Sequence, residues 1–472
     1  MSGKIASEKT ITLSGKINLP KDAHILINKD WDTKAQILWA GGNFKEALKV
    51  LEQEPIDKKI DEVFYQHGYY LFLQRQYSQA VEVLEKGHQL YPKHIDILHY
   101  LTISYLRGGN FKKVIDYGKK LASYVPYLAN DLLAHAYAEL EQYDKAKVMG
   151  NRSLRSKDLR YNNSLKEGWE LPDVRPSVYT KDKKKVISFS LFGNKIVYLR
   201  GALRNLLLAN DLYPDWELWF WLDDSVPQEF QNLIVKLGGV VKKQPKEQEI
   251  FQKLSWRFLV SDDKDVGYFL VRDVDAVISL REVQAVAQWL ASDKYFHVMR
   301  DWWSHTDLIL AGMWGGVANI LPNMAEAIEA YWTSLGDSPN TDQWFLGEKV
   351  WLYVRTSLMS HDRCFDFMSS RDWPEFPKVT GREHVGMNEF ATDEAKQELM
   401  LAPWIKEYPC LQAQKAPAKI QYSLEACVQE NPELKKLGAQ KTETAAKETK
   451  AKKAPPKKAP PKKMRTRKTR QK

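Results

Sequence analysis

Two aspartates one residue apart, Asp273 and Asp275, follow the apolar run Tyr268, Phe269, Leu270 and Val271. Residues i and i+2 of an extended segment point the same way. The pair can therefore give two hard oxygen ligands to one Mg²⁺ or Mn²⁺ and leave coordination positions open for phosphate oxygens. Spacing alone is a cheap signal, because Asp30/Asp32 and Asp263/Asp265 repeat it. Context separates the three. Asp30 and Asp32 precede a helical repeat, and Asp263 and Asp265 sit in a charged, turn-like Ser-Asp-Asp-Lys-Asp stretch, where carboxylates more often cap backbone groups. Only Asp273 and Asp275 end a strand-like run. Other residues with chemical potential are Arg257 between Trp256 and Phe258, the adjacent Asp342 and Gln343, His361 beside Asp362, and the polar group His297, Arg300, Asp301 and His305. Without a second acidic or Cys partner at ligand spacing, that last group reads as a loop on the acceptor side of a site.

The segments around these residues alternate. An apolar strand over 186–192 is followed by Gly193 and a helical pattern through Tyr198, Leu199, Leu203 and Leu206. A second strand covers 217–222, and Ser225, Pro227 and Gln228 read as a capping box opening the next helix. A third strand begins at Gly239, and a helix over 251–260 leads to the strand that carries Asp273. This order predicts an α/β domain with a mostly parallel sheet and a ligand site at the carboxyl ends of its strands.

The first third of the chain repeats itself. Phe44, Tyr77, Phe111 and Tyr143 each precede, by three residues, Ala47, Ala80, Val114 or Ala146, at intervals close to 34 residues. The pattern resembles the tetratricopeptide repeat, a helix-turn-helix unit whose stacking buries a continuous core and presents a binding surface. The expectation is a separable helical module that recruits a protein partner or an acceptor.

The ordered constellation of the first strand, Asp223 and Asp224, Arg257, the Asp273-Val274-Asp275 turn, Asp342-Gln343 and His361-Asp362 resembles GT-A-fold glycosyltransferases of the DxD type, most closely the retaining enzymes that use nucleotide sugars. The resemblance covers 183–376. It implies that Tyr198, on the helix after the first strand, helps hold the nucleoside, that Arg257 contacts the activated donor, and that Asp273, Asp275 and His361 hold Mn²⁺ or Mg²⁺. It places Asp342 and Gln343 near the sugar and acceptor. An inverting enzyme would additionally need a carboxylate base near the acceptor hydroxyl, and Asp301 and Asp342 are the carboxylates available for it. The segment from Leu310 to Gly316 stands where such families often carry an Asn-x-Gly stretch.

The expected architecture is therefore α plus α/β. It comprises an N-terminal extension (1–30), tetratricopeptide-like repeats (31–158), a linker (159–182), a Rossmann-like GT-A domain (183–376), a C-terminal extension (377–439) and a basic tail (440–472). The tail holds fourteen Lys and Arg against two Glu, more than the whole chain's net +10, so the residues before it are slightly acidic overall. A Lys/Pro/Ala-rich segment of this kind has little apolar surface to bury and is expected to be disordered and to meet polyanions through charge alone. Three scattered cysteines, Cys364, Cys410 and Cys427, argue against a disulfide framework, and the absence of an apolar leader or span points to the cytosol without a membrane segment. Two other functions stay open at this point. One is a catalytically weak scaffold that joins repeats to a transferase-like domain. The other is an adaptor tethered to a polyanion by the tail.

Overall fold

A computed structural model describes residues 10–12, 24–26, 28, 30–55, 59–161, 164–335, 341–375, 382–387 and 398–412. The tail (440–472), most of the N-terminal extension and most of 377–439 lie outside the described residues. Two compact units are present. Among the described residues the first ends at Gln74, and the second is Arg75–Lys415.

The first unit holds a two-stranded antiparallel pair, β1 (Thr10–Thr12) with β2 (His24–Leu26), and helices α1 (Thr33–Ala40), α2 (Phe44–Gln53) and α3 (Asp61–Leu73). Asp32 caps α1, its side chain accepting the backbone N–H of Ala35 at 2.7 Å, so this Asp-x-Asp triplet is a helix start. The second unit opens with α4 (Tyr77–Leu90), α5 (Ile95–Arg107), α6 (Phe111–Leu121), α7 (Pro126–Glu139) and α8 (Tyr143–Arg160). The sequence period reappears in the backbone. Gly42, Arg75, Gly109 and Glu141 all have left-handed φ, near +58° to +78°. Each is followed by an Asn or Gln and then by the aromatic that opens the next helix. The small residue three positions later, Ala47, Ala80, Val114 or Ala146, is fully buried. These are helical-hairpin repeats of the kind the spacing predicts.

The repeat helices do not end as a free-standing module. Along α8, Gly150 lies so close to Phe365 that an added Cβ would come within 2.2 Å of the ring, and the side-chain amide of Asn151 donates to the Phe365 carbonyl at 3.0 Å. The indole N–H of Trp351 donates to Asp158 at 2.8 Å. Buried Lys157 donates to Asp131 on α7 at 2.8 Å and to Asp307 and the Thr306 carbonyl in the sheet domain at 2.7 and 3.0 Å. Ala134 and Leu154 belong to the same core as the sheet. The expected clean separation gives way to a shared interior, because α8 has apolar or small residues on the side that faces the sheet domain as well as on the side that faces α7.

After α9 (Pro176–Tyr179) the chain builds a seven-stranded sheet from β3 (Lys184–Leu191), β4 (Trp216–Leu222), β5 (Val240–Lys243), β6 (Val266–Arg272), β7 (Phe296–Arg300), β8 (Met313–Val317) and β9 (Leu358–Asp362). The order is β5-β4-β3-β6-β8-β7-β9. Strands β3 to β6 are mutually parallel, while β8 runs antiparallel to β6 and β7. The sheet is thus mixed but mostly parallel, as expected, with β8 alone running against the other six strands. A loop, not a helix, carries the chain from β7 to β8, and only an antiparallel return can use it. The connecting helices are α10 (Ile196–Leu212), α11 (Gln228–Lys236), α12 (Ile250–Ser255), α13 (Leu280–Leu290), α14 (Met324–Leu335), α15 (Thr341–Phe345) and α16 (Trp351–Val354), with α17 (Ala402–Glu407) near the end. A 3₁₀ segment, Trp256–Asp262, continues α12. The expected capping box at Ser225 does not form. Helix α11 starts at Gln228 without a side-chain cap, and Ser225 instead bonds Asp223 while accepting the Gly193 N–H. No described helix is long and apolar enough to cross a membrane.

Candidate active site

The chain leaves β3 for β4 and β5 on one side and returns to β6 on the other, so the crevice between the carboxyl ends of β3 and β6 is the topological switch point of the sheet. Open α/β sheets bind ligands there. Asp273 and Asp275 follow β6 directly into that crevice, and α10, with Tyr198 in its first turn, follows β3.

The backbone of Arg257 is pinned by two serines of β3. Its N–H donates to Ser190 Oγ at 2.9 Å, and its carbonyl accepts from Ser188 Oγ at 2.8 Å. Thus fixed, the buried guanidinium forks: Nη1 pairs with Asp273 Oδ1, and Nη2 donates to Asp342 Oδ2 at 3.0 Å. Its Nε–H is buried and meets no acceptor among the described residues. Burial opposes the charge on Arg257, yet Asp273, Asp342 and Asp275 outweigh it and raise its pKa. Burial pushes the Asp342 carboxyl above the ordinary Asp value, with Arg257 pulling it back down. Tyr198 is half-buried, and its phenol is raised first by burial and then by Asp275 and Asp273, which places both carboxylates in its field. Gln343 donates through Nε2 to the Ile309 carbonyl and accepts the Ala311 N–H at 3.0 Å, tying α15 to the loop that runs into β8.

The turn itself is held by residues that sequence reasoning passed over. Asn205, buried on α10, donates to the carbonyls of Val274 and Ala276, both at 3.2 Å, and accepts the Ile278 N–H at 2.9 Å. A Cβ on Gly201 would sit 2.4 Å from the Val274 carbonyl, and one on Gly312 would sit 2.1 Å from Asp273 Oδ2. The signals were present: Asn205 among the apolar positions of a helical pattern, and two Ser among the apolar residues of a strand. Buried polar side chains must find partners, and here the partners are the backbone of the site.

Two of the expected site residues stand elsewhere. His361 lies on β9, three strands from β6 and so about 14 Å away at ordinary strand spacing. Its ring nitrogens meet His297 Nε2 at 2.8 Å and Gln288 Oε1 at 3.0 Å. Asp301 follows β7 and is fully buried. Its oxygens take Arg281 at 2.9 and 2.8 Å, Arg363 at 3.1 Å and the Val385 N–H at 3.0 Å. It anchors a loop and does not reach the Arg257 fork.

Asp273, with 44 % of its side chain exposed, and the half-buried Asp275 fit a hard divalent cation. Among the described residues no group of three or more His, Cys, Asp or Glu forms a metal cage. Mg²⁺-type ions are commonly bound by one or two carboxylates with substrate phosphates completing the shell.

No family model matches the sequence, and no curated protein matches it. Among solved structures, MamA from Desulfovibrio magneticus RS-1 is 24 % identical over 27 % of this chain and 75 % of its own, with a TM-score of 0.25. MamA of AMB-1 is 19 % identical over 26 % of this chain and 76 % of its own, with a TM-score of 0.24. A mutant of the Thermobaculum terrenum O-GlcNAc transferase is 15 % identical over 50 % of this chain and 44 % of its own, with a TM-score of 0.34. Similarities of this size fix neither fold nor activity.

Proposed function

We propose that this chain is a glycosyltransferase of GT-A type that moves a sugar from a nucleotide-sugar donor to an acceptor hydroxyl, with the helical repeats recruiting a protein partner or the acceptor. The observation that carries the reading is the buried Arg257 fork, which bridges Asp273 and Asp342 in the crevice between β3 and β6. In the transfer, the acceptor oxygen bonds to the anomeric carbon as the bond from that carbon to the diphosphate breaks, and the nucleoside diphosphate departs. Arg257 offsets the charge that develops on the diphosphate oxygens. Asp342, pushed up by burial, is suited to take the acceptor proton. Tyr198 lines the donor side, and Gln343 holds the loop that runs into β8 beside Asp273. A divalent cation, Mn²⁺ or Mg²⁺, held by Asp273 and Asp275 would add positive charge against the leaving group.

The test is a thermal-shift screen of nucleotide sugars with and without Mn²⁺, since a ligand bound only by the folded state raises the melting temperature. At least one donor is expected to stabilise the wild type more in Mn²⁺ than in chelator, and Asp273→Asn with Asp275→Asn is expected to remove that increment. Equal donor stabilisation of wild type and double variant in Mn²⁺ would sink the reading.

A further inference from the structure

The last helical pair and the loop after β7 enclose a cleft of about 220 Å³ with aromatic walls and a charged rim. Trp303 stacks on Tyr143, ring centroids 5.3 Å apart at 21°, and packs against the repeat core of Leu133, Tyr137, Ala138 and Ala146. Trp302 stacks on His384 at 5.0 Å and 15°. On the rim Glu139 pairs with Arg382 and lies 3.4 Å from the His135 imidazole, while Glu141 is exposed on its left-handed turn. A second hollow of about 330 Å³ shares Glu141 and Tyr143 as walls. The loop that supplies both tryptophans continues to Ile309 and Ala311, the two backbone groups gripped by Gln343, and then to Gly312 against Asp273. Cleft and candidate active site are two ends of one loop.

We propose that this cleft is a saccharide subsite that takes a pyranose ring of the acceptor; the acceptor role, though not the binding itself, rests on the transferase reading. The ring C–H face of a pyranose carries partial positive charge and complements the electron-rich face of an indole. Its hydroxyls both donate and accept, which matches a rim that mixes carboxylates, an imidazole and a guanidinium. The cleft is smaller than the usual 300 to 1,000 Å³ of larger ligand sites, a scale suited to a single ring. The adjoining hollow gives a second ring a place beyond Glu141. An extended peptide would instead draw its affinity from main-chain hydrogen bonds along a strand edge or from a long apolar groove.

The test uses the full chain and saturation-transfer NMR with four probes: methyl glucoside, methyl galactoside, methyl mannoside and N-acetylglucosamine. At least one is expected to receive saturation on its ring C–H protons. Its affinity should fall about five-fold or more in Trp302→Ala and in Glu141→Gln, as loss of a stacking face or a charged hydrogen bond predicts. Glu141→Gln changes one exposed side chain, so it keeps the result readable if the tryptophan variant fails to fold. Asp273→Asn is expected to bind the same probe as wild type does. Should the wild type bind the pyranoside and no nucleotide sugar, the subsite stands and the transferase reading fails. No transfer to any of the four from wild type, or equal affinity in both cleft variants, overturns the proposal.

Discussion

Arg257 carries more of the site than its single charge implies, because it neutralises a buried carboxylate and an exposed one with the same planar group. Lys would bring one point charge in place of a fork. Arg257→Met leaves Asp342 buried without its partner, and a loss of about 3 kcal/mol is expected in urea unfolding. Adding Asp342→Leu should restore most of it. If the double variant were no more stable than the single one, the cost would lie in the shape of the site rather than in the unpaired charge. A second residue-scale prediction concerns acid. Burial, with Arg371 nearby, holds His361 neutral down to about 4. The unfolded chain takes that proton near 6.5 and the folded chain only near 4, so the unfolded state binds more protons across this window. The stabilisation is complete above about pH 6.5 and is lost as pH falls towards 4, by about 3 kcal/mol. Urea midpoints at pH 7.5 and 4.5 should show the drop, and His361→Asn should make it shallower. At this scale the sequence was readable where a charged residue ended an apolar run, as at Asp273. It did not show that His361 meets His297 on the next strand or that Asp301 takes Arg281 and Arg363, because those partners are distant in sequence.

Elements were legible in proportion to their periodicity. The repeats announced themselves because each helical pair needs the same small residue and the same turn. Strands β7 and β8 did not. His297 and Arg300 lie inside β7, and Gly315 and Gly316 lie inside β8, where a Cβ on Gly315 would come within 2.5 Å of the Phe269 carbonyl. A strand built of glycines and buried charges reads as a loop, since its residue types are dictated by neighbours and not by the strand. The turn geometry makes a further prediction. Arg75 adopts the φ that Gly42 and Gly109 adopt in sister repeats, at a cost of about 1 kcal/mol to any residue with a Cβ. Arg75→Gly should raise stability by up to about 1 kcal/mol and Gly109→Ala should lower it by a similar amount, both measured by chemical unfolding. Changes of the same sign in the two variants would show that the turn conformation is not what sets their stability.

At the scale of the molecule, the shared interior around α8 makes the later repeats part of the body that holds the seven-stranded sheet. A fragment beginning near Tyr179 would strip Phe365 and Trp351 of their cover and leave Asp307 without Lys157. It is expected to be insoluble or to lack a cooperative melt, whereas the full chain melts with α7, α8 and the sheet together. Lys157→Met tests the same junction more gently. Asp131, whose pKa burial already raises, and Asp307 would lose their common cation, and a loss of about 3 kcal/mol is expected. A soluble, donor-binding fragment would return the repeats to the status of a separate module.

Arg200, on the same helix as Tyr198, Gly201 and Asn205, is fully buried, donates through Nε to the carbonyl of Leu411 at 3.0 Å, and pairs with Glu398 at 3.2 Å. This sets an order of events on the ribosome. The helices before α7 are made first and can fold on local contacts, but α10 is not expected to settle until Leu411 has been synthesised and has left the exit tunnel. At ordinary elongation rates that is about 10 to 30 s after the Asp273-Val274-Asp275 turn is made. During that interval the helix that clamps the turn waits with an arginine in its apolar face. Nascent chains arrested before Leu411 should therefore be cut by protease within α10, and chains released after it should resist.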